Sequence, residues 1–167
     1  MSCAKYPTHG PGSKGGSRSV YVNLRPQLPG GFGNLFNYVN EQANKETIVA
    51  VQIETKDALE NIEGICAVPG VDIAFIGPGD LSVDMGLAAE MGLPAAFGSK
   101  AFADAEARIA KACKDSGVIG GYWNPDVADK GPKGFRFLVV DGDVLSMQAA
   151  FGNTVADKKA KCAELGM

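Results

Sequence analysis

Two carboxylates break the apolar run of the segments that carry them. Glu54 follows Val49-Ala50-Val51-Gln52-Ile53 directly, and Asp80 follows Ile73-Ala74-Phe75-Ile76-Gly77-Pro78-Gly79. An acid at the end of a buried strand lies where parallel α/β folds build their active-site rim. Two such acids on neighbouring strand ends offer hard oxygen ligands to Mg2+ or Mn2+, which need only one or two carboxylates plus water and substrate oxygens. Gln52 points to the same side as Glu54 by strand alternation and faces either a ligand or a structural hydrogen-bond partner. Gly79 is either turn chemistry or a place where a ligand approaches backbone N–H groups. Plainer readings stand beside these. A strand-end glutamate is often solvated, and Asp80 equally suits a cap for a helical turn starting at Leu81. Spacing alone leaves both open.

Other chemistries find fewer residues. The four cysteines, Cys3, Cys66, Cys113 and Cys162, stand far apart without a Cys-x-x-Cys pair, and His9 is the only histidine. That pattern argues against zinc and for reduced thiols in a reducing compartment, which places the chain in the cytoplasm. Any Ser-His-Asp or Cys-His mechanism would have to use His9, which sits among glycines and prolines.

The elements that must position Glu54 and Asp80 follow from apolar periodicity. Near-continuous apolar runs predict four buried strands at about 47–53, 71–76, 118–123 and 135–140. Between them the pattern predicts helices over Lys56–Cys66 and Ser99–Ser116, with a short turn over Asp126–Lys130. Leu35–Lys45 reads as a helix before the first strand, and Asp143 caps a last helix running to about Leu165. Buried strands alternating with helices define an α/β fold with parallel strands and right-handed crossovers. Periodicity does not separate an open doubly wound sheet from part of a (β/α)8 barrel. Residues 7–34, rich in glycine and proline, form a loop unusually long for a compact domain.

Composition bounds the rest. The chain has 167 residues, 46% hydrophobic and 21% charged, with a formal net charge of −3. One domain is expected, with no electrostatic case for nucleic acid or an anionic membrane. No apolar stretch approaches the ~18 residues of a spanning helix.

The blocks Val51-Gln52-Ile53-Glu54-Thr55, Ala58-Leu59-Glu60-Asn61-Ile62, Val68-Pro69-Gly70-Val71-Asp72 and Phe75-Ile76-Gly77-Pro78-Gly79-Asp80-Leu81-Ser82, with Met85-Gly86, resemble the HpcH/HpaI family of metal-dependent class II pyruvate aldolases. The resemblance continues forward through Gly121-Tyr122-Trp123 and Phe137-Leu138-Val139-Val140-Asp141-Gly142-Asp143. It extends weakly backward to Ala4-Lys5-Tyr6-Pro7 and Gly10. It implies a (β/α)8 TIM barrel of about 250 residues, of which this chain is the C-terminal half, a single domain over 1–167 that is N-terminally incomplete. It also implies that Glu54 and Asp80 ligate a divalent metal, Mg2+ or Mn2+ with Co2+ as a further candidate. Gln52 and the N–H of Gly79 would contact the pyruvate part of a 2-keto acid, and Trp123 would be an apolar pocket residue.

The family's catalytic histidine and its carboxylate-binding arginine have no counterpart here. His9, Arg18 and Arg25 fall outside those motifs, and Gly12 stands where an arginine is common. Catalytic residues are therefore unassigned. Three functions remain on this reading. The first is metal-dependent retro-aldol cleavage of a 2-keto-hydroxy acid to pyruvate and an aldehyde. The second is a non-catalytic half-barrel acting in binding or assembly. The third is a citrate-lyase-like enzyme on CoA esters, which would need a basic groove. A homo-oligomer is expected, since family members associate through their last helix.

Overall fold

The computed structural model describes residues 43–123 and 126–166. The 7–34 loop, most of the Leu35–Lys45 helix, and His9, Arg18, Arg25 and Cys3 lie outside them. One helical turn, α1 (Asn44–Glu46), precedes β1 (Ala50–Ile53). After β1 come α2 (Lys56–Glu60), α3 (Ile62–Cys66) and β2 (Ile73–Ile76). Three short helices follow: α4 (Pro78–Asp84), α5 (Leu87–Met91) and α6 (Leu93–Phe97). The chain continues through α7 (Lys100–Ser116), β3 (Ile119–Trp123), α8 (Val127–Lys130), β4 (Phe135–Val139) and α9 (Asp143–Glu164).

The four strands form one parallel sheet in the order β1-β2-β3-β4, as the four apolar runs predict. Sequential order, parallel pairing and helical crossovers are the architecture of a partial (β/α) barrel. Strand alternation gives the sheet two faces. One carries Ile53, Ile76, Tyr122 and Leu138 in register, and it packs under the helices in a core with Leu81, Phe102 and Ile109. The other carries Gln52, Phe75, Gly121 and Phe137 in one row. There Phe75 and Phe137 meet edge to face, their ring centroids 6.1 Å apart.

Gly121 makes that contact possible. A Cβ built on it would lie 2.7 Å from Phe75 Cδ2 and 3.1 Å from Ile73 Cγ2, so glycine is a packing requirement at this position.

The longest core helix is punctuated as its sequence suggests. Ser99 caps α7 by accepting the Phe102 N–H at 3.2 Å, and Gly117 closes it in the left-handed region at φ 73°. Phe102, Ala105, Ile109 and Ala112 of α7 are buried, as their spacing predicts.

Three expectations need correction. The single helix over Lys56–Cys66 is two turns divided at Asn61, whose side-chain amide donates to the Asp57 carbonyl at 2.8 Å and so competes with helix continuation. Asp143 is not the cap of α9. Gly142 holds the N-cap position, and the Asp143 carboxylate accepts the neighbouring Val144 N–H at 2.8 Å. Asp80 does not cap a helix starting at Leu81 either. That helix starts two residues before Asp80, at Pro78, with Gly77 as its N-cap, because proline fits the first helical position.

Candidate functional site

Glu54 leaves β1 immediately after Ile53, whose register partner on β2 is Ile76, so Glu54 stands beside Gly77. The ladder reaches this level, since the Gly77 N–H donates to the Ile53 carbonyl at 3.4 Å. On β3, Tyr122 pairs with Ile76, which puts Trp123 beside Gly77 on the other side. Trp123 pairs in turn with Val139. The C-terminal rim therefore reads Glu54, Gly77, Trp123, Val139, with Gln52, Phe75, Gly121 and Phe137 one row below on the same face.

The gap at Gly77 is occupied from one side. A Cβ there would lie 3.2 Å from Glu54 Oε2, 3.4 Å from Glu54 Cβ and 3.9 Å from Gln52 Nε2. The Glu54 carboxylate thus leans across Gly77, with the Gln52 amide just beneath it. On the far side, the Trp123 ring rests on Gly142, where a Cβ would come within 3.1 Å of Cη2. Both glycines are bare where a rim side chain needs room.

Asp80 lies in the first turn of α4, exposed, three residues after Gly77. A carboxylate in a first turn is favoured by the helix dipole, which gives Asp80 a structural reason for its place as well. Gly79, half-buried, has open space where a side chain would stand, with nothing within 4 Å of a built Cβ. Its N–H falls among those at a helix start that have no intrahelical acceptor.

The donor set fits a hard divalent cation. Neither Glu54 nor Asp80 has a hydrogen-bond or ion-pair partner among the described residues, whereas most other acids near the helices are paired. No group of three or more His, Cys, Asp or Glu residues able to hold a metal occurs among the described residues. A two-carboxylate cradle completed by substrate and water needs no such group.

Two of the thiols, Cys66 and Cys113, offer no nucleophile. Burial pushes the Cys113 thiol up to about 12 and raises Cys66 as well, so neither is a thiolate near neutrality. Tyr122 is also excluded. Burial, then its bond to Glu106, raises its phenol far above the usual range, and it faces the helix layer away from the rim.

Sequence reasoning named Glu54, Gln52, Gly79, Asp80 and Trp123. The structure sets Gln52, Glu54 and Trp123 on one face and Gly79 with Asp80 on the adjoining helix start. It adds Gly77, whose lack of a side chain admits the Glu54 carboxylate. Its signal was present as a small residue directly after a buried strand.

Gly77→Ala tests that arrangement. Its φ of −92° suits any residue, so the fold should tolerate the methyl while Glu54 moves aside. Mn2+ affinity should fall by roughly threefold to tenfold with little change in thermal stability. Wild-type affinity in Gly77→Ala would contradict it.

The comparisons with known proteins bear on the family and the fold. The model of the HpcH/HpaI aldolase/citrate lyase family matches residues 1–136. A hydroxypyruvate/pyruvate aldolase from Paraburkholderia phytofirmans is 34% identical over 152 residues, covering 87% of this chain and 53% of that protein. A 2-keto-3-deoxy-L-rhamnonate aldolase from Klebsiella pneumoniae is 31% identical, covering 98% of this chain and 57% of its own length. The chain spans about half the length of the curated relatives it matches. Among solved structures, an HpcH/HpaI aldolase from Desulfitobacterium hafniense superposes with a TM-score of 0.64 at 26% identity, covering 95% of this chain and 57% of that one. Macrophomate synthase has the same fold, with a TM-score of 0.66 at 22% identity over 98% of this chain and 55% of that one.

Proposed function

The chain belongs to the HpcH/HpaI aldolase/citrate lyase family, and from that premise we propose that its rim serves metal-dependent retro-aldol cleavage of a 2-keto-hydroxy acid to pyruvate and an aldehyde. The observation that carries this reading is the unpartnered Glu54 carboxylate beside Gly77, at the strand ends where parallel α/β folds bind substrate, with the unpartnered Asp80 carboxylate three residues further on in the first turn of α4.

Glu54 and Asp80 would hold the cation, Mg2+ or Mn2+, with Co2+ also suited to an oxygen cradle. Such an ion, when bound, supplies Lewis acidity that stabilises negative charge developing on a keto oxygen. The chain's own residues would do the rest of the binding. The Gln52 amide, beneath Glu54, would donate to the keto acid. The free N–H of Gly79 would donate to its carboxylate, an oxyanion-type contact that strengthens as charge develops. Trp123, set against Gly142, would wall the apolar side and exclude water. Glu54 and Asp80 orient and neutralise; they do not take the proton of the aldol hydroxyl. The described residues contain no histidine, and His9 lies outside them.

The substrate class is read from the cradle and from the relatives' names, two of which specify pyruvate or a 2-keto-3-deoxy acid. A CoA-ester substrate gains little support, since the rim row of Glu54, Gly77, Trp123 and Val139 includes no cation. The buried, free Cys66 and Cys113 suit a reducing compartment, and we place the protein in the cytoplasm on that ground. No helix among the described residues is long and apolar enough to cross a membrane.

The test is pyruvate release from a 2-keto-3-deoxy sugar acid, followed with and without Mg2+ or Mn2+. Release that needs the ion and is lost in Glu54→Gln supports the reading. Absence of pyruvate at high protein and saturating metal would refute it in favour of a binding role.

Self-association is part of the proposal. Along α9, Val144, Met147, Phe151 and Val155 fall on one stripe at helical spacing, and all are exposed, Phe151 at 69%. The helix buries no residue on any side, and such an apolar stripe suits a second copy of the chain. Sedimentation should show a dimer or larger species that Phe151→Glu shifts toward monomer. A wild-type chain sedimenting as a monomer at micromolar concentration would contradict this.

A further inference from the structure

The opposite end of the sheet carries a feature unconnected with the rim. At the N-terminal ends of β3 and β4 lies a cavity of about 750 Å³, and beside it along α7 a second of about 440 Å³. They share Ala110, Lys114 and Lys133 in their walls, so they form one groove. Its cations come from different elements: Lys111 and Lys114 from α7, Lys133 from the loop before β4, and Arg136 from β4 itself. No aspartate or glutamate lines either cavity.

The partners of these cations decide what the groove can bind. Lys111 is paired with Asp115, and Lys133 with Asp129 at 2.8 Å. Lys114 and Arg136 have no acidic partner among the described residues. A lone lysine at a helix C-terminus is explained by the macrodipole. That does not explain cations from three elements converging on an acid-free groove, in a chain whose formal net charge is −3.

Between the charges the wall is apolar or bare. It includes Val118 and Ile119, the latter 44% exposed although it begins a central strand, and alanines of α7 floor the smaller cavity. Small-ligand sites commonly have this combination and about this volume, a few convergent polar groups on an apolar surface.

We infer that this groove is a binding site for a phosphorylated small molecule, distinct from the rim at Glu54. The Arg136 guanidinium would take the phosphate in its planar fork, with Lys114 as a second point charge. The body of the ligand would lie over Ile119 and the alanine floor. The site stands at the far ends of the strands from Glu54 and Asp80, so a ligand there would act as an effector or anchor and would not be cleaved.

Calorimetric titration with inorganic pyrophosphate tests this, at fixed ionic strength and without divalent ions, so that the rim takes no part. Wild-type protein should bind it saturably. Lys114→Gln with Arg136→Gln should weaken binding about tenfold or more, and Lys114→Gln alone, an exposed helix change, by roughly threefold or more. Lys158→Gln with Lys159→Gln removes the same charge from α9 and should leave binding unchanged. Absence of saturable binding, or equal weakening by the two double variants, would overturn the proposal.

Discussion

Glu106→Ala is expected to destabilise the protein by about 3–5 kcal/mol, the range for breaking a buried charge network from one side. Glu106 is 3% exposed, yet it sits in the middle of α7. Its Oε1 accepts the Tyr122 hydroxyl at 2.6 Å and the Lys130 ammonium at 2.5 Å, and Lys133 approaches Oε2 at 3.5 Å. Lys130 is itself largely enclosed, its side chain 12% exposed, with its ammonium 4.7 Å from the centre of the Tyr122 ring. Without the carboxylate, Lys130 keeps only Asp129, at 2.9 Å, and the Tyr122 hydroxyl loses its acceptor. Glu106→Gln retains one acceptor and should cost less than Glu106→Ala. Urea unfolding followed by circular dichroism measures both. A loss below about 1 kcal/mol for the alanine variant would show that the network is not closed in solution.

Phe102→Ala carries a comparable cost, about 3–5 kcal/mol, by leaving a cavity in the helix-side core. The ring is fully buried, lies 5.8 Å from the Phe97 ring of α6, and belongs to the same core cluster as Leu81. Leu81 is the residue after Asp80. Loosening this core should therefore loosen α4 and the Asp80 carboxylate it presents. Amide exchange in α4–α6 should accelerate along with the fall in global stability. Unchanged protection of the Leu81 amide, in a variant that is still folded, would show that α4 is held independently of that core.

These two residues also show what could be read before the structure. Phe102 belongs to a helix bounded by Ser99 and Gly117, with apolar residues at helical spacing throughout, so its burial was legible. Glu106 was only half so. Its spacing, four after Phe102 and three before Ile109, puts it on the buried face, but nothing local says what would pair its charge; its partners Tyr122 and Lys130 arrive from a strand and a turn further along the chain.

The strands were legible because both faces of a parallel sheet are covered or apolar, which leaves near-continuous runs such as Ile73–Ile76. The first residues of three of them were over-read, while the fourth begins at Phe135 as expected. Val49 precedes β1, its N–H bonded to the Asp72 carboxylate at 2.7 Å, so an apolar run extends beyond the ladder. The three helices between Pro78 and Phe97 are five to seven residues each, too short to show a period, and Gly86 and Gly92 at φ 82° and 79° separate them.

At the site, alternation sufficed to put Gln52 and Glu54 on one side. The part played by Gly77 depends on β1–β2 register, and that of Gly142 on where the Trp123 ring comes to rest. Both are long-range facts that no local pattern encodes.

The central claim is that Glu54 and Asp80 together hold one divalent ion. It is tested most directly by titrating Mn2+ into wild type, Glu54→Gln and Asp80→Asn, following loss of the free-ion paramagnetic resonance signal. Neither carboxylate has a partner among the described residues, so a cation shared by both would meet two acids that nothing else neutralises. Wild type should bind one ion per chain, and each variant should bind about tenfold or more weakly, a loss of about 1.4 kcal/mol or greater. Equal Mn2+ affinity in all three proteins would contradict the account.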